Sequence, residues 1–230
     1  MALAAGIATS AWAQPGTLRS VTEYRVKSDR VGDFQADIKE FNGVLKKGGS
    51  ENAYTVWASA TGPLAYLRVQ HYAKWSELDT PQEPKMKEHA ADLNRIGARI
   101  LACTESSNRV IEQILPDASL PSAAEPPKML RVLRIHVKAD KFNDFLALQK
   151  NDVLPAIKKS GLTTYSVARV RLGASGSDFI VVYGMDKWAD MGAKPPLLTG
   201  MGRKRTGNSS LRPWRCRRIP RPTCTALCRT

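Results

Sequence analysis

The chain carries nearly the same segment twice. Val26, Lys27, Asp29, Asp33 and Phe34 recur as Val137, Lys138, Asp140, Asp144 and Phe145, each 111 positions later. Lys46, Lys47 and Gly49 recur as Lys158, Lys159 and Gly161 at an offset of 112, and Tyr54 recurs as Tyr165 at 111. Lys74-Trp75 returns as Lys187-Trp188 at 113. Any one of these matches alone is chance; their shared order and spacing are not. A unit recurring at this distance is a duplicated domain and not a solenoid repeat. The drift of two residues requires only small insertions, which loops and helix ends tolerate.

The first copy predicts the order β-α-β-β-α-β. Arg19 to Lys27 suits a strand, with Val21, Tyr24 and Val26 as β-formers. Ser28 or Asp29 is placed to cap the helix that follows. Val31, Phe34, Ile38, Phe41 and Leu45 fall at alternating spacings of three and four, so they share one helical face. Gly48-Gly49 ends that helix. Two strands, Tyr54–Ala60 and Leu64–Tyr72, flank the turn Thr61-Gly62-Pro63. A second helix over about Pro84–Ala102 turns Met86, Ala90, Leu93, Ile96 and Ile100 inward, and Arg109–Leu115 is a fourth strand. This order is the split βαβ of ferredoxin-like folds.

Residues 116–128 contain Pro116, Pro121, Pro126 and Pro127 and read as a linker. The second copy then runs from Met129: a strand to Val137, a helix from about Asp140 to Lys159 that Pro155 kinks near its end, and strands at Thr164–Leu172 and Asp178–Met185. After about Met201 the match stops. Residues 202–230 hold eight Arg and one Lys with no acid, and have no helical or strand period. Two origins fit: a disordered basic interaction tail, or out-of-frame translation of a GC-rich gene, and the frameshift is the preferred one. Either way the second repeat, 129–201, is expected to be truncated, with an uncovered face and an open sheet edge that invite self-association.

Charge excludes one class of function for the core. The chain is +14 overall, and removing the +9 of residues 202–230 leaves +5 for the rest. So mild a charge does not point to nucleic acid; only the tail is basic enough for it. At the other end, residues 1–13 look like the remnant of a signal peptide. The run Leu3–Ala11 is small and apolar, and Ala11-Trp12-Ala13 fits a cleavage site before Gln14. That predicts a secreted or periplasmic protein whose Met1 lies inside a longer signal; a disordered alanine-rich start is the other possibility. No stretch is long enough to span a membrane. Cys103 sits alone on a helix, and Cys216, Cys224 and Cys228 lie in the tail without a C-x-x-C pair, so neither zinc nor a disulfide framework is expected.

The tandem β-α-β-β-α-β units, with their charged first helical turn and late Lys-Trp, resemble the dimeric α/β-barrel superfamily and its antibiotic-biosynthesis-monooxygenase-like domains. The resemblance covers about Arg19–Leu115 and Met129–Met191. It implies an α+β fold in which two sheets close face to face with helices outside, here within a single chain. Members range from cofactor-free oxygenases, haem-handling enzymes and other enzymes to domains with no known activity, and no catalytic residue carries over.

The strands suggest what such a barrel would enclose. If Tyr24 and Val26 face the helices, Glu23 and Arg25 face the other way, as do their counterparts Arg134 and His136. Arg68, Gln70 and Tyr72 alternate likewise and are assigned to the same side. These residues either line a polar cavity or face water near the strand ends. In a cavity, Arg25, Arg68, Tyr72 and Arg134 would bind an anionic or carbonyl-bearing ligand. His136 is the candidate for proton transfer, and its counterpart is Arg25, so the halves are not equivalent sites. His71 is expected on the apolar side with Leu67 and Val69, and His89 on the second helix; three histidines on three elements make no metal signature. Trp75 and Trp188 are read as packing at strand-to-loop corners. Asp29, Asp33, Asp140 and Asp144 complement helix starts, and Lys46, Lys47, Lys158 and Lys159 helix ends. Gly173–Gly176 is a hairpin loop without the context of a phosphate loop.

Two classes of function follow. One is a secreted barrel domain that binds a small ligand between its halves. The alternative is a cofactor-free monooxygenase-like enzyme using His136. No cofactor motif is present, and none is expected.

Overall fold

A computed structural model of the chain describes residues 18–49, 54–79, 87–123, 125–192 and 224–229. The signal-peptide remnant, Met86, and the greater part of the basic tail lie outside those residues. Eight strands close into one antiparallel barrel, and the duplicated sequence accounts for its layout. Strand β1 (Leu18–Val26) pairs with β3 (Ala65–Tyr72) on one side and β4 (Thr104–Ile114) on the other, while β2 (Thr55–Ser59) lies beyond β3. In the second copy β5 (Met129–His136) pairs with β7 (Asp178–Met185) and β8 (Cys224–Arg229), and β6 (Tyr165–Leu172) lies beyond β7. Each copy therefore has its first strand at the centre of a four-stranded sheet. The sheets join at β4–β6 and at β2–β8.

This corrects the expectation of a wholly disordered tail and an open edge. Cys224–Arg229 stands beside β5 as β4 stands beside β1. Its run Thr-Ala-Leu-Cys is short and free of proline, which a ladder position requires. The second copy remains incomplete in another respect: among the described residues it has no counterpart of the second helix, only the single turn Ala189–Gly192.

Helices cover the outer faces. Helix α1 (Val31–Lys47) and α2 (Ala90–Ala102) lie on the first sheet, where Phe34, Ile38, Ile96 and Ile100 are buried with Tyr24, Val26 and Tyr66. The start of α1 differs from expectation. Ser28–Arg30 forms a 3-10 turn, and no side chain caps the helix; the turn itself feeds the chain in, through the Arg30 N–H donating to the Lys27 carbonyl. The second sheet is covered by α3 (Phe142–Leu148), a π turn (Gln149–Val153) and α4 (Leu154–Ser160). The kink expected from Pro155 takes the form of that π turn. Proline at the start of α4 leaves a carbonyl without its usual donor, and the wider turn precedes it. Gln149, buried in the turn, accepts a 2.6 Å hydrogen bond from the Tyr165 hydroxyl. The repeat is visible in the packing: Phe34 meets Tyr66 at 4.9 Å between ring centroids, and their counterparts Phe145 and Phe179 meet at 4.7 Å.

The proline-rich linker is docked on the second sheet. The Leu115 and Leu120 N–H groups donate to the Val167 and Tyr165 carbonyls. Ser119 Oγ accepts from the Val167 N–H at 2.9 Å. The tryptophan expectation fails: Trp75 and Trp188 are 42% and 50% exposed. Both stand where the chain has just left its strand, Trp75 opening a 3-10 turn, so neither ring reaches a core.

Candidate functional site

Directly opposed residues on paired strands share a face, so the strand registers sort the barrel interior into rows. The innermost row in the first copy is His71, Arg19 and Glu112, adjacent across β3, β1 and β4. The next is Val69, Val21 and Val110, then Leu67, Glu23 and Asn108, then Ala65, Arg25 and Ser106. The second copy answers with Gly184 and Leu130, then Val182 and Val132, then Ile180 and Arg134, then Asp178 and His136. The rows enclose a cavity of about 290 Å³.

Five valines, from β1, β3, β4, β5 and β7, form a collar at mid-depth, with Trp57 beside them. At the inner end Arg19 donates to Glu112 Oε2 from Nε at 2.8 Å and from Nη2 at 2.5 Å. The two side chains are 10% and 4% exposed. Two short charge-assisted bonds are what make such a pair tolerable away from water. His71 completes the row, and burial followed by the nearby Arg19 charge lowers its pKa to about 4, so its imidazole is neutral at pH 7. In the second copy's inner row, a side chain at Gly184 would run into Thr164 and Pro127. At the open end Arg25 lies 3.5 Å from Glu23, and Arg134 lines the cavity with Asn108, Thr61 and Pro63.

The sequence-derived candidates divide accordingly. Arg25 and Arg134 line the cavity as expected, with Glu23. Arg68 and Tyr72 do not. The pairing of Tyr24 with Tyr66 and of Thr22 with Arg68 puts the even-numbered residues of β3 on the helix side. There the Arg68 guanidinium lies 4.1 Å from the Tyr54 ring centroid and 5.5 Å from that of Phe41, and Tyr72 is 8% exposed. The alternation of Arg68, Gln70 and Tyr72 assigns them to the interior; the register with Thr22 and Tyr24 puts them on the helix side instead. His136 stands at the outer rim with its side chain 59% exposed, its Nδ1 2.8 Å from Asp178 Oδ1; it is not among the cavity-lining residues. His71, expected to be merely apolar-side, shares that side with Leu67 and Val69, and that side is the interior. Glu112 and Arg19 were missed. The available signal was their strand parity, which matches Val21 and Val110. No group of three His, Cys, Asp or Glu able to hold a metal occurs among the described residues.

The fold has parallels among solved structures. A candidate monooxygenase from Lactobacillus acidophilus NCFM superposes with a TM-score of 0.57 at 12% identity, over 92% of this chain and 93% of that one. An anthrone oxidase-like protein gives 0.55 at 12% identity, over 95% and 93%.

The chain has the dimeric α/β-barrel fold.

Chlorite dismutase from Candidatus Nitrospira defluvii, solved with imidazole, shares this fold at a TM-score of 0.51 and 11% identity, over 94% of this chain and 93% of that one. No protein-family model matches the chain, and no curated protein matches its sequence. In this dimeric α/β barrel both sheets come from one polypeptide. No helix among the described residues is long and apolar enough to cross a membrane.

Proposed function

We propose that the protein is a secreted or periplasmic small-molecule-binding barrel, taking an anionic or carbonyl-bearing ligand between its two halves. The observation that carries this reading is the enclosed cavity, apolar at mid-depth and lined by Arg25 and Arg134 toward its mouth. An apolar pocket with a few convergent polar groups is the common form of a ligand site. The signal-like start, residues 1–13, supports export. The test is calorimetric titration with a panel of small carboxylates and ketones, against wild type and a Val21→Trp variant that fills the collar. Binding by wild type and its loss in the variant support the reading, with Val69→Phe as a second filler. Equal heats from wild type and both filled variants would overturn it.

The alternative is a cofactor-free monooxygenase-like enzyme using His136. In its favour, the His136–Asp178 pair at 2.8 Å orients an imidazole at the mouth, and structural neighbours include proteins described as monooxygenases. Against it, His136 stays outside the cavity lining. Oxygen uptake with an electron-rich phenol or anthrone, lost in His136→Ala, would establish it; no uptake with either would sink it.

A further inference from the structure

The two ends of the cavity differ in charge, and that difference orients whatever binds. At the inner end the Arg19 guanidinium is committed to Glu112 through two hydrogen bonds. His71 beside them stays neutral because burial and Arg19 both oppose its protonation. The inner row therefore offers hydrogen bonds but no net charge. A carboxylate driven there would lose its hydration and lie beside Glu112, which is unfavourable. A neutral hydroxyl or carbonyl meets no such penalty.

The mouth is different. Arg134 lines the cavity and has no ion pair among the described residues. The carboxylate diagonal to it, Asp178, is engaged by His136. An anion placed there keeps part of its hydration and gains a planar two-pronged donor. Between the ends stands the valine collar. Arg134 is four residues up β5 from Leu130 in the inner row, roughly 13 Å at the usual rise per strand residue. The cavity of about 290 Å³, set against ~30 Å³ for a water molecule in the liquid, holds roughly ten non-hydrogen atoms.

We propose that the cavity takes a small amphiphilic monocarboxylic acid, its carboxylate outward on Arg134, its apolar body in the valine collar, and a neutral hydroxyl or carbonyl inward at Arg19, Glu112 and His71. This rests on the reading of the barrel as a ligand chamber and adds the class of ligand and its direction. In the second copy the equivalent row holds Gly184 and Leu130, neither of which brings a polar side chain.

Three matched probes test it by calorimetry: 4-hydroxyphenylacetate, phenylacetate, and 2-(4-hydroxyphenyl)ethanol, which replaces the carboxylate by an alcohol. Wild type is expected to bind the hydroxy acid at least about tenfold more tightly than the alcohol, the usual worth of a hydrogen bond to a charged group. It is expected to bind phenylacetate more weakly than the hydroxy acid. In Arg134→Gln, a change at an exposed position, the preference for acid over alcohol should fall to within about twofold. An alcohol that binds as tightly as the acid, or an acid preference that survives in Arg134→Gln, overturns the orientation. The chamber reading survives that result if Val21→Trp still blocks binding. If none of the probes binds and wild type matches Val21→Trp throughout, the chamber reading falls and the orientation with it.

Discussion

Arg19 and Glu112 face each other across β1 and β4, and their side chains form the one strongly buried ion pair among the described residues. Removing one partner leaves the other charge stranded in an apolar barrel. Glu112→Ala is expected to cost roughly 3–5 kcal/mol, the usual range for breaking a buried pair. Replacing both residues, as in Arg19→Met with Glu112→Leu, should recover most of that loss. Urea unfolding of the single and double variants checks both statements, and a double variant as unstable as the single one contradicts the account.

His71 sets a pH dependence. Its pKa in the folded protein is about 4, against 6.5 when unperturbed. The unfolded chain therefore binds a proton there that the folded barrel refuses. Stability from this group is complete above pH 6.5 and is lost as pH falls toward 4, at no more than about 1.4 kcal/mol per pH unit. His71→Gln should flatten the fall over that window relative to wild type. Parallel slopes for the two proteins in urea titrations would show that His71 is not the group responsible.

Gly173 opens the β6–β7 hairpin with φ of +86°, and a Cβ there would lie 2.1 Å from the Arg109 carbonyl oxygen on β4. Gly173→Ala should destabilise by about 1–3 kcal/mol through strain and the displaced strand. Gly176→Ala in the same loop meets open space and is expected to be close to neutral. A thermal melt comparing the two variants separates the backbone requirement from general loop sensitivity.

Strand β8 holds β2 and β5 together. Deleting residues 224–229 should expose two strand edges and convert the protein to species that self-associate. Sedimentation velocity on full-length and shortened chains reads this directly. A shortened chain that sediments unchanged would mean that β8 does not close the barrel in solution.

Much of this fold was legible in the duplication itself. Val31, Phe34, Ile38, Phe41 and Leu45 fall on one helical face, and all five pack in the first core. Asp178–Met185 has the strand limits expected from the sequence. The site was harder to read. Parity placed Glu23, Arg25 and Arg134 on the cavity side, because Tyr24 and Val26, with their counterparts Ile135 and Val137, match the helix-covered face. It failed for β3, whose more apolar side, Ala65, Leu67 and Val69, faces the cavity, so that only the register with β1 decides. Arg19 and Glu112 lie 93 positions apart, and nothing local to either reveals the other. The tryptophans misled for a related reason: a repeated residue reports a repeated position, not its burial.

Gly184 and Leu130 occupy the row that mirrors His71 and Arg19. A barrel assembled from two identical chains would have to furnish its chamber with the charged row twice or not at all. A guest inside it would then find two equally good poses, related by the twofold axis. Joining the halves in one polypeptide releases each from its twin, so one floor can be ionic and the other greasy. The chamber becomes handed, and a molecule entering it has a single best way round.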